Sequence, residues 1–138
     1  MQFSKDVALI AKYFRQQRNR YVEPFGLKGI HARMLIDVCE HPGLSQDRLA
    51  QRMSIDKSNV ARQVAVLEED GFVLRKPSGE DKRVMCLYPT QKTLELLPGL
   101  QEETDRWEQV LLGVLSPEER AQLLQLLHRV RTHVEGEE

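Results

Sequence analysis

The sequence predicts a mainly α-helical fold that carries one small β-hairpin. Most of the 138 residues lie in segments whose apolar side chains recur every three or four positions, which is typical of amphipathic helices. The exceptions are FVLRK at 72–76 and RVMCLY at 83–88, which are rich in β-branched and aromatic residues. Turn-forming residues at 77–82 separate them. We therefore expect helices on both sides of a single hairpin.

Composition favours one soluble, helix-rich domain, since 30% of the residues are charged and 6% are aromatic. No stretch approaches the ~18 consecutive apolar residues of a membrane span, and the N-terminal segment has no signal-peptide pattern. The two cysteines, Cys39 and Cys86, lack CxxC spacing. We therefore expect reduced, buried thiols and a cytoplasmic location.

The net charge of −1 conceals an asymmetry along the chain. Residues 1–90 carry fifteen Lys and Arg against eleven Asp and Glu, whereas residues 91–138 carry five against ten. A nucleic-acid binder needs a local basic surface rather than a basic average. The N-terminal two thirds of the chain therefore suit such a partner better than the rest.

The first helix is predicted to begin at Ser4 as its cap and to end near Tyr21, before Pro24 and Gly26. Its apolar face is wider than a small monomer needs to cover. This face is therefore expected to pack against the C-terminal helices or against a partner chain.

Two short helices follow a second helix that begins after Gly29. Ser45 caps the first of them, and Asp56 and Gly71 mark the beginning and end of the other. A turn of a few residues joins the pair. Because the second member has a polar outer face, the arrangement is a helix-turn-helix pattern.

The outer face of the helix at 56–70 carries short hydrogen-bonding groups and one arginine, namely Ser58, Asn59, Arg62 and Gln63. Such groups suit a helix whose first turns enter a DNA major groove. Lys57 in the positive first turn opposes the helix dipole, which is reasonable beside a phosphate. The alternative is an ordinary core helix with a solvated face.

The hairpin directly after this helix, residues 72–88, would form a wing. Its charged tip includes Asp81, Lys82 and Arg83. An arginine or lysine there can enter a narrow minor groove, although charges are also routine at solvated hairpin tips.

The C-terminal third predicts two more helices. Thr90 can cap a long one that reaches about Val114, with a kink or a short break at Pro98 and Gly99. Ser116, Pro117 and Glu119 then form the capping-box pattern of a last, leucine-rich helix, which ends in an acidic tail.

In element order and in motifs these residues resemble the MarR family of bacterial winged-helix transcriptional regulators. The resemblance lies in PGLSQDRLAQRMSIDKSNVARQVAVLEEDGFVLR at 42–75, in the wing residues 81–83 and in LSPEE at the start of the last helix. It implies a winged helix-turn-helix over residues 29–90, with N- and C-terminal dimerisation helices at 1–28 and 91–138.

The resemblance also implies a homodimeric repressor that reads a pseudo-palindromic operator in double-stranded DNA and is released by a small-molecule effector, aromatic or phenolic in nature. By family position Ser58, Asn59, Arg62 and Gln63 would read bases, and Lys57 and Ser45 would hold phosphates. Arg83, oriented by Asp81 and accompanied by Lys82, would enter the minor groove, and Arg75 would support the backbone contacts. Asn59 stands where the family commonly has Thr or Ala, and Lys82-Arg83 where it has Arg-Arg.

Other functions find less support in the sequence. The four histidines show no metal-ligand spacing, and no motif pairs a nucleophile with a base, so we expect neither a metal, a cofactor nor an enzyme. Trp107, Tyr13 and His31 are candidates for an effector pocket, but core packing explains the two aromatic residues equally well. The remaining alternative is a protein-interaction module with the same fold and no affinity for DNA.

Overall fold

The computed structural model describes residues 1–136, which form two compact units, one of residues 1–103 and one that begins at Thr104. The helices and strands follow in the order α1 (Gln2–Val22), α2 (Gly29–Glu40), β1 (Leu44–Ser45), α3 (Gln46–Met53), α4 (Lys57–Glu69), β2 (Val73–Pro77), β3 (Met85–Pro89), α5 (Gln91–Leu112) and α6 (Pro117–Gly136), with a 3-10 turn at Glu23–Phe25. The boundary between the units falls within α5. The predicted mainly helical architecture with a small β wing is confirmed.

The core of the first unit lies between α2, α3, α4 and the sheet. From α4 it contains Val60, Val64 and Leu67, the stripe spaced four and three residues apart that predicts a buried face. From α3 it contains Leu49, Ala50 and Met53. Burying one side of α4 in this way leaves its opposite side for solvent or a partner.

Both ends of α4 are fixed by the residues that the sequence singles out. The Asp56 carboxylate accepts a hydrogen bond of 2.7 Å from the backbone N–H of Asn59, as an N-cap should. Gly71 has φ +81°, and the N–H of Phe72 donates to the carbonyl of Leu67 at 2.8 Å. This is the Schellman arrangement, which favours glycine at the left-handed position. The register of the polar face of α4 is therefore set from both ends.

The hairpin is part of a three-stranded antiparallel sheet in the order β1-β3-β2. The sequence does not predict β1, because this strand has two residues, Leu44 opposite Leu87 and Ser45 opposite Cys86, and merges with the cap of α3. β3 begins at Met85 rather than at Arg83. Arg83 consequently lies in the loop at 78–84, called the wing loop below, and not in a strand.

For the long helices, the structure contradicts one prediction and excludes one of two alternatives. α1 begins at Gln2, so Ser4 lies inside the helix, where its hydroxyl donates to the carbonyl of Met1 at 3.0 Å. α5 runs unbroken through Pro98, which excludes the short break that was the alternative to a kink. Gly99 leaves room for the Tyr21 side chain of α1, because a Cβ at position 99 would collide with the Tyr21 hydroxyl.

The second unit confirms the predicted capping box of α6. The N–H of Glu119 donates to the Ser116 hydroxyl at 3.2 Å, and the N–H of Ser116 donates to the Glu119 carboxylate at 2.9 Å. No residue in the described part of α6 is buried, and Leu124, Leu126, Leu127, Val130 and Val134 are exposed. Among the helices of residues 1–136, none has the length and apolar character needed to cross a membrane.

Candidate nucleic-acid interface

The first two turns of α4 present Ser58 and Arg62 to solvent, with Asn59 half-buried beside them. The Ser58 hydroxyl donates to the Asp56 carboxylate at 2.7 Å, and its two oxygen lone pairs can still accept. That hydrogen bond and the one from the Asn59 N–H hold the pKa of Asp56 below its ordinary value. The cap thus stays ionised at neutral pH and keeps the leading turn of α4 fixed.

Gln63, the fourth predicted reading residue, is half-buried and bonded inward. Its Oε1 lies 2.8 Å from Nε2 of His31 on α2, and its Nε2 donates to Asn59 Oδ1 at 3.2 Å. The sequence does not predict this link, because His31 precedes Gln63 by 32 positions and only the packing of α2 on α4 brings them together.

The two predicted phosphate contacts differ in their present partners. Ser45 is the N-cap of α3, and its hydroxyl oxygen accepts from the N–H of Arg48 at 3.1 Å. Lys57 Nζ lies 3.4 Å from the Asp47 carboxylate, and both side chains are exposed. Exposed ion pairs contribute little to stability, so Lys57 can exchange this partner for a phosphate at small cost.

The wing loop holds Arg83 outward. Arg83 Nε and Nη2 donate to the two oxygens of Asp81, at 3.2 and 3.3 Å, while 91% of the arginine side chain is exposed. The same hydrogen bonds lower the pKa of Asp81, which therefore remains charged. A planar guanidinium held by a carboxylate at an exposed tip is an oriented group for contact with a partner. Lys82, the adjacent residue, is exposed as well.

Arg75 on β2 lies away from this tip and is half-buried. It donates to Glu68 at the end of α4 at 3.2 Å and to Gln46 on α3 at 3.4 Å. Its contacts therefore connect the sheet to both helices of the helix-turn-helix.

A cavity of about 640 Å³ opens within the first unit. Its described lining residues carry four cationic side chains and no acidic one; they are Arg15, Arg18, Lys28 and Arg33, with Ala11, Phe14, Asn19, Gly29, Ile30, Met53 and Ile55. Burial lowers the pKa of Arg18. Tyr13 and His31, two of the pocket candidates from the sequence, are not among these residues, and Trp107 belongs to the other unit.

The two cysteines of the chain are not paired with each other. Cys39 and Cys86 are both half-buried rather than fully buried, and burial raises the pKa of the Cys39 thiol. Residues 1–136 contain no cluster of three or more His, Cys, Asp or Glu side chains that could hold a metal ion.

A helix-turn-helix whose second helix exposes a polar face, followed by a charged hairpin, defines a winged helix-turn-helix transcriptional regulator. A sequence model of the MarR family matches residues 25–84. The chain belongs to the MarR family, and it is accordingly a transcriptional regulator and not an enzyme.

Relatives of this class resemble the chain over most of its length. It is 29% identical over 131 residues to the uncharacterised HTH-type regulator YybA of Bacillus subtilis. This alignment covers 95% of the chain and 87% of the relative. It is 35% identical over 99 residues to the HTH-type regulator BilQ of Clostridium symbiosum, covering 70% of the chain and 67% of the relative.

Solved structures agree with the fold. The transcriptional regulator SlyA superposes with a TM-score of 0.91 at 28% identity, covering 99% of this chain and 96% of the other. A putative MarR family regulator from Listeria monocytogenes, solved with a 26mer DNA, superposes with a TM-score of 0.88 at 24% identity, covering 96% of this chain and 89% of the other.

Proposed function

We propose that this protein is a homodimeric repressor that binds double-stranded DNA sequence-specifically through α4 and the wing. The observation that carries the proposal is the polar face on the first two turns of α4, combined with a guanidinium held outward at the wing loop. The opposite face of α4 supplies the core, and the exposed Asp81–Arg83 pair contributes little to stability.

The reading residues on α4 match groups that the major groove presents. An arginine such as Arg62 can bind O6 and N7 of a guanine, and an asparagine such as Asn59 can bind N6 and N7 of an adenine. Ser58 keeps acceptor lone pairs for a base donor. Lys57 and Ser45, at the starts of α4 and α3, would contact the phosphates that flank those bases.

At the wing, Arg83 would enter the adjacent minor groove. A narrow A·T tract concentrates negative potential there, which attracts a guanidinium. Asp81 would keep the arginine side chain extended before binding and thereby reduce the entropy lost on contact, and Lys82 would add charge at the groove edge. Arg75, bonded to both helices of the motif, would support these contacts from inside.

The terminal helices would form the dimer. α1 exposes Phe3, Val7, Leu9 and Ile10, and α6 exposes five leucine and valine side chains. Such apolar faces are unfavourable in water unless a partner covers them. We propose residues 1–28 and 91–138 as the dimerisation region and residues 29–90 as the DNA-binding region. Each copy would then read one half of a pseudo-palindromic operator, in the cytoplasm where such DNA is found.

The cationic cavity would hold the effector. Four positive side chains with Phe14 and Ile30 beside them suit a small aromatic anion, such as a phenolate or a carboxylate. A ligand that binds the DNA-free conformation more tightly than the DNA-bound one must lower the affinity for the operator. Effector binding would thereby release the repressor.

Selection of bound duplexes from random DNA, followed by fluorescence anisotropy, tests the proposal. Arg62→Ala should weaken binding to the selected site by about 1–3 kcal/mol and affect a random duplex much less. Lys57→Ala should weaken both duplexes alike and reduce the slope of affinity against salt by about 1. Lys12→Ala, the same charge removed from an exposed position on α1, is the control.

The competing function is an adaptor that binds only protein. It predicts no salt-sensitive binding to duplex DNA and no difference between the variants and the wild type. Either result would refute the regulator proposal at its DNA-binding step.

A further inference from the structure

A buried histidine joins the start of α2 to the reading face of α4. His31 is 4% exposed, and both of its ring nitrogens have partners. Nδ1 lies 3.1 Å from the backbone nitrogen of Lys28, and Nε2 lies 2.8 Å from Oε1 of Gln63. The ring therefore bridges a helix N-terminus and Gln63, which in turn contacts Asn59, a residue that the proposed function places at the DNA.

The two contacts fix the tautomer of His31. A backbone N–H can only donate, so Nδ1 must accept from Lys28 and carries no proton. The proton of the neutral ring is then on Nε2, which donates to Gln63 Oε1. This in turn fixes the Gln63 amide, since its oxygen must face His31 and its Nε2 must face away.

The chain of hydrogen bonds continues to the surface. Gln63 Nε2 donates to Asn59 Oδ1 at 3.2 Å, which orients the Asn59 amide as well. Within residues 1–136 nothing takes up the second Oδ1 lone pair or the Nδ2 hydrogens of Asn59. One acceptor and one donor, side by side, are the groups that adenine requires in the major groove.

We infer that His31 is a positioning residue that determines base specificity without touching DNA, through the orientation that it imposes on Gln63 and Asn59. The inference rests on the proposed function, since it presupposes that α4 reads bases. Without the Nε2 donor, the Gln63 amide can turn over and present its oxygen to Asn59. Asn59 would then turn as well, and its preference for adenine over the other bases would be lost.

The test compares three single variants, one double variant and a control variant in competition binding with operator duplexes that differ at one base pair of the half-site. His31→Leu removes both ring contacts and should reduce discrimination at the base pair read by Asn59 about fivefold or more, the equivalent of a bidentate contact. Its affinity for random duplex and its salt dependence should stay within about twofold of the wild type, because the phosphate contacts are unchanged.

His31→Gln should retain the discrimination. A glutamine at this third helical position can accept from the Lys28 N–H with its oxygen, as in a capping box, and can donate to Gln63 with its amide. Gln63→Leu should lose discrimination as His31→Leu does. The double variant His31→Leu/Gln63→Leu should discriminate between bases as well as Gln63→Leu alone, because both changes break the same chain of hydrogen bonds. His41→Leu removes an exposed histidine at the other end of α2 and is the control.

Losses of discrimination that add up in the double variant would overturn the inference. So would an equal loss of discrimination in His31→Gln and His31→Leu, or an unchanged base preference in His31→Leu. If thermal unfolding shows that His31→Leu does not fold, the comparison of Gln63→Leu with His31→Gln tests the inference instead. Discrimination should then be lost in the first variant and retained in the second. A wild-type protein that discriminates no base pair would instead refute the proposed function. A wild type that discriminates, with variants that behave alike, would refute only the role of His31.

Discussion

At the scale of single residues, the wing tip illustrates a side chain placed for a partner rather than for the fold. The bidentate bond between Arg83 and Asp81 lies in solvent, where such a pair is screened and contributes little to folding. Its effect is geometric, because it restricts a flexible arginine to one direction. A residue with that geometry is expected to act on binding and not on stability.

Arg83→Ala should therefore weaken operator binding on the order of 1–3 kcal/mol, with a melting temperature that does not change. Arg83→Lys should recover only part of the loss, because an ammonium cannot keep the paired contact to Asp81. Anisotropy with the selected operator, together with thermal unfolding, gives both quantities.

Lys82→Ala removes the same charge from the adjacent exposed position and should weaken binding less, because Lys82 only adds charge at the groove edge. Equal losses in Arg83→Ala and Lys82→Ala would show that the wing contributes only general charge. A drop in melting temperature for Arg83→Ala would assign the pair a structural role instead.

The sequence predicts a side chain's hydrogen-bond partner when that partner lies within a few positions along the chain. The caps at Asp56, Ser45 and Ser116 and the pairing of Asp81 with Arg83 are of this kind. The bond of Lys57 to Asp47 joins residues ten positions apart, and that of His31 to Gln63 joins two helices. Such contacts depend on tertiary packing, and neither apolar periodicity nor motif spacing encodes them.

At the scale of elements, helix type and limits are well predicted where apolar periodicity and end signals agree. The ends of α4 and the start of α6 are examples, and their sequence signals are a cap and a glycine or a capping box. The prediction for Ser4 is wrong because Met1 occupies the N-cap position one helical turn earlier than a serine signal suggests. β1 is missed because two residues are too few to show alternation.

The cavity between elements of the first unit leads to a prediction about charge. A hydroxybenzoate should bind the protein and release it from the operator, whereas the corresponding neutral amide should bind more weakly, because the lining is cationic. Arg15→Gln should weaken binding of the acid about two- to fivefold, as expected for a partly exposed pair. Isothermal titration calorimetry measures the binding.

Arg20→Gln, on the same helix but outside the lining, is the control for that experiment. Equal affinities for the acid and the amide would remove the electrostatic basis of the effector proposal. Binding of the acid without release from the operator would separate the cavity from regulation.

At the scale of the whole molecule, the two ends of the chain and its middle have different tasks in the proposed function. The middle carries the reading groups, whereas α1 and α6 carry apolar side chains that a monomer leaves in water. The family resemblance predicts this division, whereas apolar periodicity alone leaves open whether the first helix packs against the C-terminal helices or against a partner chain.

Hydroxyl-radical and base-methylation footprinting of the protein on its selected operator tests the central claim most directly. Two chains reading DNA with paired α4 helices should protect two major-groove segments on one face of the duplex, centred roughly 10 bp apart, with minor-groove protection beside each. Arg83→Ala should lose only the minor-groove protection. A single protected segment, segments on opposite faces of the duplex, or a pattern independent of Arg62 would contradict the account.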